Sequence, residues 1–274
     1  MQRMKHLSAI AALGALAVAG LLVSPAAAAG RSATVFNSIP STLPGNVPSL
    51  AFESTSTSEF GDYARFAGNK RNLQKVTVVM SSWGCESGAA GAGGNCVTTP
   101  GTTFNHNITL NLYTNPGSGQ VGTLITGGSK TQTFAIPYRP SADPSCSDGK
   151  WLDGNGTCYN GLATTITFTF SGVTLPASVI YGIAYNTTSY GYAPIGQSAP
   201  CFSEPGGCGY DSLNVSAASA TPRVGVDADE NGVFLNSSWT GAYCDNGTSG
   251  TGTFRLDSPC WTVNNPMIKF TARR

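Results

Sequence analysis

Asp227-Ala228-Asp229-Glu230-Asn231-Gly232 is the segment of this chain whose residue types and spacing come closest to an ion-binding loop. It reads as the Asp-x-Asp-x-Asn-Gly opening of an EF-hand. The twelfth position is Ser238, where a bidentate glutamate is required, and Val224 to Val226 and Val233 to Leu235 on either side read as strands. That excludes an EF-hand. Two readings stay open: a plain hairpin turned at Asn231-Gly232, the strongest short hairpin signal, and a calcium site built from the carboxylates of Asp227 and Asp229. Calcium is the only cofactor these residues suggest.

Acid pairs are the other chemistry open to the chain. A glycosidase needs two carboxyl groups roughly 5 to 10 Å apart, and Glu53, Glu59, Asp62, Glu86, Asp143, Asp153, Asp211 and Asp257 are available for that role. None sits in a recognisable acid/base motif. Nucleophilic chemistry is poorly served. If His6 leaves with an export signal, His106 is the only histidine, and no Gly-x-Ser-x-Gly elbow accompanies it. Flanked by Asn105 and Asn107, His106 reads as a solvated loop residue, and no catalytic residue is assigned.

Aromatic side chains give a lead toward binding. Trp151, Trp239 and Trp261 fall near expected loops or cysteines, and Tyr190 and Tyr192 flank Gly191. Exposed flat rings in such places would stack on sugar faces; packing over neighbouring disulfides explains the same residues. The eight cysteines form close tandem couples: Cys85 with Cys96, Cys146 with Cys158, Cys201 with Cys208, and Cys244 with Cys260. Proximity favours bonding within each couple, although eight cysteines admit 105 connectivities. The spacings lack the Cys-x2-Cys clusters of zinc sites. Each couple brackets Gly, Asn, Asp or Pro, so the bonds are expected to staple loops.

The elements that must carry these residues are strands. Asn107 to Tyr113 and Thr164 to Phe170 alternate polar with apolar at period two, Lys75 to Met80 is β-branched and apolar, and Val179 to Tyr185 reads as deeply buried. Weaker candidates include Ala33 to Asn37, Tyr63 to Ala67, Gln132 to Ile136, Val233 to Asn236 and Met267 to Thr271. Gly (34) and Pro (16) interrupt any helical periodicity. The expected fold is an all-β, jelly-roll-like sandwich with long disulfide-stapled loops.

Residues 1–29 read as a cleaved signal peptide: Arg3 and Lys5, then the apolar run Leu7 to Val23, then Ala26 to Ala29. Residues 30–274 are expected to form one domain, secreted and without a stable membrane anchor. Lysine plus arginine (15) and aspartate plus glutamate (14) nearly balance, which gives no net electrostatic footprint for nucleic acid.

Ser58-Glu59-Phe60-Gly61-Asp62, Phe66-Ala67-Gly68, Ser81-Ser82-Trp83, Ile136-Pro137-Tyr138-Arg139-Pro140, Tyr181-Gly182-Ile183-Ala184-Tyr185 and Gly252-Thr253-Phe254-Arg255-Leu256-Asp257 resemble segments of uncharacterised secreted bacterial β-rich proteins. That resemblance spans most of the chain and implies no activity, cofactor or catalytic residue. The functional expectation is therefore drawn from architecture: a non-catalytic binding or surface-interaction protein whose partner is a glycan or a surface protein. The alternatives are an extracellular hydrolase with paired carboxylates and a structural envelope protein.

Overall fold

Alternation at period two becomes strand wherever it runs between turn-forming residues. Along Thr103–Tyr113, Phe104, Ile108, Leu110 and Leu112 are buried while Asn105 and Asn107 are exposed. The computed structural model describes residues 30–52, 55, 57–88, 90–91, 93–117, 119–185, 213–217, 221–237, 243–245, 252–259, 261 and 265–274. Among them all regular structure is strand.

In chain order the strands are β1 (Ala33–Asn37), β2 (Ser49–Leu50), β3 (Thr57–Arg65), β4 (Asn72–Ser82), β5 (Thr103–Tyr113), β6 (Leu124–Pro137), β7 (Trp151–Leu152), β8 (Cys158–Tyr159), β9 (Leu162–Thr169), β10 (Ser178–Ala184), β11 (Leu213–Ser216), β12 (Val226–Asp227), β13 (Val233–Ser237), β14 (Arg255–Asp257) and β15 (Ile268–Arg273). Every pairing is antiparallel. The first sheet runs β1-β15-β4-β9 and the second β3-β10-β5-β6. Taken in chain order, these eight strands occupy the positions of a jelly roll, two four-stranded antiparallel sheets packed face to face.

The chain between β10 and β15 widens both sheets. β12 and β13 share the free edge of β3, and β14 pairs with β13. β11 continues the edge of β4 that β15 begins, and β2 pairs with β11.

The core lies between the sheets. Phe270 on β15 meets Phe36, Phe66 and Tyr181 edge-on, with ring centroids 6.1, 5.2 and 5.8 Å away. Phe134 on β6 meets Phe168 on β9 at 4.9 Å, where the two sheets adjoin. Fully burying each such ring contributes about 1.5–3 kcal/mol. His106 is a correction to the sequence reading. Its parity on β5 matches Phe104 and Ile108, so it points inward, against Tyr185 at 5.4 Å. Its Nδ1–H donates to the Asn107 carbonyl (2.9 Å), and burial lowers its pKa despite that bond.

Cys85–Cys96 and Cys146–Cys158 are bonded as expected, over separations of 11 and 12 residues. Cys244 is also disulfide-bonded, whereas Cys201, Cys208 and Cys260 lie outside the described residues. The two stapled loops are tied together by Arg139, whose side chain is wholly buried. Its Nη2 donates to Gly149 O (2.7 Å), its Nε to Pro140 O (3.1 Å), and its backbone N–H to Gly84 O (2.9 Å).

Carbonyl oxygens thus solvate a buried cation. Replacing Arg139 with alanine leaves the Gly149 and Pro140 carbonyls without these donors while the backbone bond to Gly84 remains, and we expect a loss of about 2–4 kcal/mol in urea unfolding of the oxidised protein. A change below about 0.5 kcal/mol, the usual surface-mutation range, would contradict this role.

Candidate functional site

The outward residues of the three central strands of the second sheet stand in register. Gly61 on β3 pairs with Gly182 on β10, which pairs with Asn111 on β5. One row along are Glu59, Ala184 and Thr109; one row the other way are Tyr63, Ile180 and Tyr113. Phe234 and Asn236 on β13 extend the rows beside Gly61 and Glu59.

Both glycines are required by close approach. A Cβ at position 61 would lie 1.6 Å from Tyr181 O, and one at position 182 would lie 2.1 Å from Glu59 Oε1. The missing side chain at 182 leaves a gap through which Glu59 reaches across β10 to β5. There its Oε1 accepts hydrogen bonds from Asn111 Nδ2 (2.9 Å) and the Tyr113 hydroxyl (3.0 Å). Burial raises the Glu59 pKa and outweighs those two bonds, which favour the charged form. The Tyr113 phenol is raised too, first by burial and then by the neighbouring carboxylate.

Around this carboxyl the face divides into aromatic and hydroxyl-rich sides. Phe254, just before β14, lies 5.5 Å from Tyr113 and 5.9 Å from Phe234. Toward β6 a polar ladder crosses the strands: Ser129 Oγ donates to Asn111 Oδ1 (2.7 Å), Thr109 and Thr131 share a bond (2.7 Å), and Thr133 Oγ1 donates to Asn107 Oδ1 (2.6 Å). At the Tyr63 end a pocket of about 190 Å³ is lined by Tyr63, Asn115, Gly117, Gly119, Asp229 and Phe234, among others.

The aromatic residues singled out by sequence lie elsewhere. Trp151 is buried, with its Nε1–H donating to Gly161 O (2.7 Å) and its ring against Tyr159 at 5.3 Å. Trp261 has no exposed surface; its Nε1–H donates to Asp257 Oδ2 (3.2 Å) and it packs near Phe60. These two rings cap the interior and present no stacking surface, as the packing alternative holds. Tyr190, Tyr192 and Trp239 lie outside the described residues.

The chain does turn at Asp229–Gly232, where the Gly232 N–H donates to Asp229 O (3.0 Å), but β12 and β13 both pair with β3 and not with each other, so the expected hairpin does not form. The Asp227 carboxylate is engaged within the fold. Asp227 Oδ1 accepts from the Asp229 N–H (3.1 Å), and Oδ2 accepts from Asn265 Nδ2 (2.7 Å). Among the described residues no cluster of three or more His, Cys, Asp or Glu side chains suits a metal ion. The acid that approaches Asp227 is Asp62, which points inward from β3, on the face opposite Glu59, and is fully buried. Burial, and then the negative charge of Asp227, push the Asp62 carboxyl well above its ordinary value. Asp227 is raised mainly by burial. The groups that act on Glu59 itself are an amide and a phenol rather than a second acid.

Glu59, Tyr113, Phe254 and Gly182 are the residues that the sequence reading missed as a group. One signal was present: a glycine inside the apolar run Val179 to Tyr185 marks close approach by another group. Comparison with protein-family models, curated proteins and solved structures finds no match to this chain.

Two outcomes follow from the geometry. Gly182→Ala should destabilise the protein by about 2–4 kcal/mol through collision with Glu59, and Glu59→Ala in the same chain should restore much of that loss. Additive effects in the double-mutant cycle would exclude the contact. The second outcome concerns pH. Because the Asp62 carboxyl is raised in the fold, the folded protein holds a proton that the unfolded chain releases above about pH 4. Its stabilisation is present below that value and is lost as pH rises through the folded-state pKa. Thermal midpoints should therefore fall on going from pH 5 to 7.5, and Asp62→Asn should raise the midpoint at pH 7.5 and flatten the dependence. An unchanged slope in Asp62→Asn would refute the assignment.

Proposed function

We propose that this protein is a secreted, non-catalytic glycan-binding module that holds neutral sugar chains across the outer face of its β3-β10-β5-β6 sheet. The carrying observation is the Glu59 carboxyl, fixed over Gly182 by Asn111 and Tyr113 beside the half-buried rings of Tyr113 and Phe254, with Phe234 buried behind them. A carboxylate and side-chain amides accept hydrogen bonds from sugar hydroxyls, while ring faces stack on the apolar faces of pyranoses. The Thr/Asn ladder extends that chemistry along the strands, so the ligand is a chain rather than a single sugar. Neutral sugars are favoured because a uronate would meet the Glu59 charge.

Binding is preferred to hydrolysis because glycoside cleavage uses two acids on either side of one bond. Here Asp62 on β3 and Asp227 on the neighbouring β12 lie on the inward side of the sheet, opposite the face that carries Glu59. The disulfides Cys85–Cys96 and Cys146–Cys158 suit an oxidising, extracellular setting.

An array of neutral and acidic glycans, probed with the oxidised protein while released reducing sugar is assayed, tests this reading. Saturable binding to neutral glycans without cleavage is expected, weakened about tenfold by Phe254→Ala through loss of one stacking ring. Cleavage abolished by Glu59→Gln would establish the hydrolase instead, and an array without binding would remove the glycan reading.

A further inference from the structure

The opposite outer face, on the first sheet, carries a second surface of different character. Part of that face is covered: Val47, Val79 and Met267 form a small apolar cluster flanked by Ile39 and Leu43, and Asn46 Oδ1 accepts from Ser81 Oγ (2.7 Å). Beyond Thr77 the outward residues of β4 and β15 change to cations and hydroxyls. Lys75 stands opposite Thr271 and Thr169, Lys269 opposite Thr77, and Arg273 opposite Asn72.

Register makes these charges neighbours. Lys75 and Lys269 are diagonal residues of one face, about 7–8 Å apart at their backbones. Arg273 lies two positions beyond Thr271 on the same face. Lys70 and Arg31 stand at the rim, where Lys70 Nζ donates to the Arg31 carbonyl. The two ion pairs among the described residues, Lys150–Asp148 and Arg255–Asp245, use none of these side chains. Like charges this close lie within a Debye length of about 8 Å at physiological salt and repel one another. The near-zero net charge of the chain therefore conceals a basic face that the fold assembles, and an anionic partner would relieve its repulsion.

We propose that this face binds an acidic polysaccharide, a chain of uronic acid residues. The cations are interleaved with neutral hydroxyl and amide groups, those of Asn72, Thr77, Thr167 and Thr271, with Thr77 and Thr167 sharing a hydrogen bond of 3.0 Å. A polyuronate alternates carboxylates with hydroxyls in the same manner. Single-stranded nucleic acid is held by stacking on aromatic rings, and a bilayer surface by apolar side chains beside the basic ones. Lys75, Lys269, Arg273 and the residues between them supply neither.

The test measures binding of the oxidised protein to polygalacturonate, with dextran, a single-stranded DNA oligonucleotide and phosphatidylglycerol vesicles as competing probes, at about 50 and 200 mM salt. Polygalacturonate should bind and weaken as salt is raised, and the triple variant K75Q/K269Q/R273Q should bind about tenfold less tightly. Thermal unfolding verifies that this variant folds, and K75R/K269R should retain binding. The proposal is overturned by absent polygalacturonate binding, by binding that the triple variant leaves unchanged, or by tighter binding to DNA or vesicles. The proposed glycan site on the other sheet is read with neutral sugars and different residues, so failure here leaves that reading intact.

Discussion

The outer face of the second sheet depends on the absence of a side chain at position 182. With hydrogen there, Glu59 crosses β10 and is anchored by Asn111 and Tyr113 on β5. With any Cβ there, the carboxyl would have to leave, and Asn111 and Tyr113 would lose the acceptor they share. Gly61 across the pair admits the Tyr181 carbonyl in the same way. Glycine in a strand interior is conformationally costly by about 0.5–1 kcal/mol relative to alanine. Two of them, opposite one another in central strands, mark a place where the sheet gives up packing to bring a polar group across it.

The remainder of the molecule holds that arrangement still. Aromatic contacts around Phe270 fix the two sheets face to face, which leaves β3, β10 and β5 little freedom to slide. The added strands β13 and β14 bring Phe234 and Phe254 beside Tyr113. The stapled loops, knit together by the buried guanidinium of Arg139, are built separately from this face. Lys75, Lys269 and Arg273 share the outer face of the first sheet, and Glu59 is held on that of the second.

Much of the fold was legible because it rests on local alternation. β5, β9 and β10 and the pairing of Cys85 with Cys96 and Cys146 with Cys158 follow from period and proximity. β3 was seen only from Tyr63 onward, because Glu59, Gly61 and Asp62 break the apolar pattern, and two of them, Glu59 and Gly61, belong to the proposed site. His106 was misplaced because its asparagine neighbours look loop-like, whereas on a strand they are the outward half of the alternation. Trp151 and Trp261 drew attention as large rings near cysteines, yet ring size says nothing about which side faces solvent. Glu59 and Tyr113 are distant in sequence, and their meeting depends on the register of β10 between two other strands. Composition could not reveal the basic face either, since pairing of β4 with β15 gathers charges that sequence scatters.

The most direct test is an amide chemical-shift titration of the isotopically labelled, oxidised protein with neutral oligosaccharides of hexose and pentose type. The account predicts saturable shifts concentrated at Glu59 to Tyr63, Thr109 to Tyr113, Gly182 and Phe254, with the amides of β4 and β15 unmoved. Shifts absent from those strands, or located only on another surface, would contradict it.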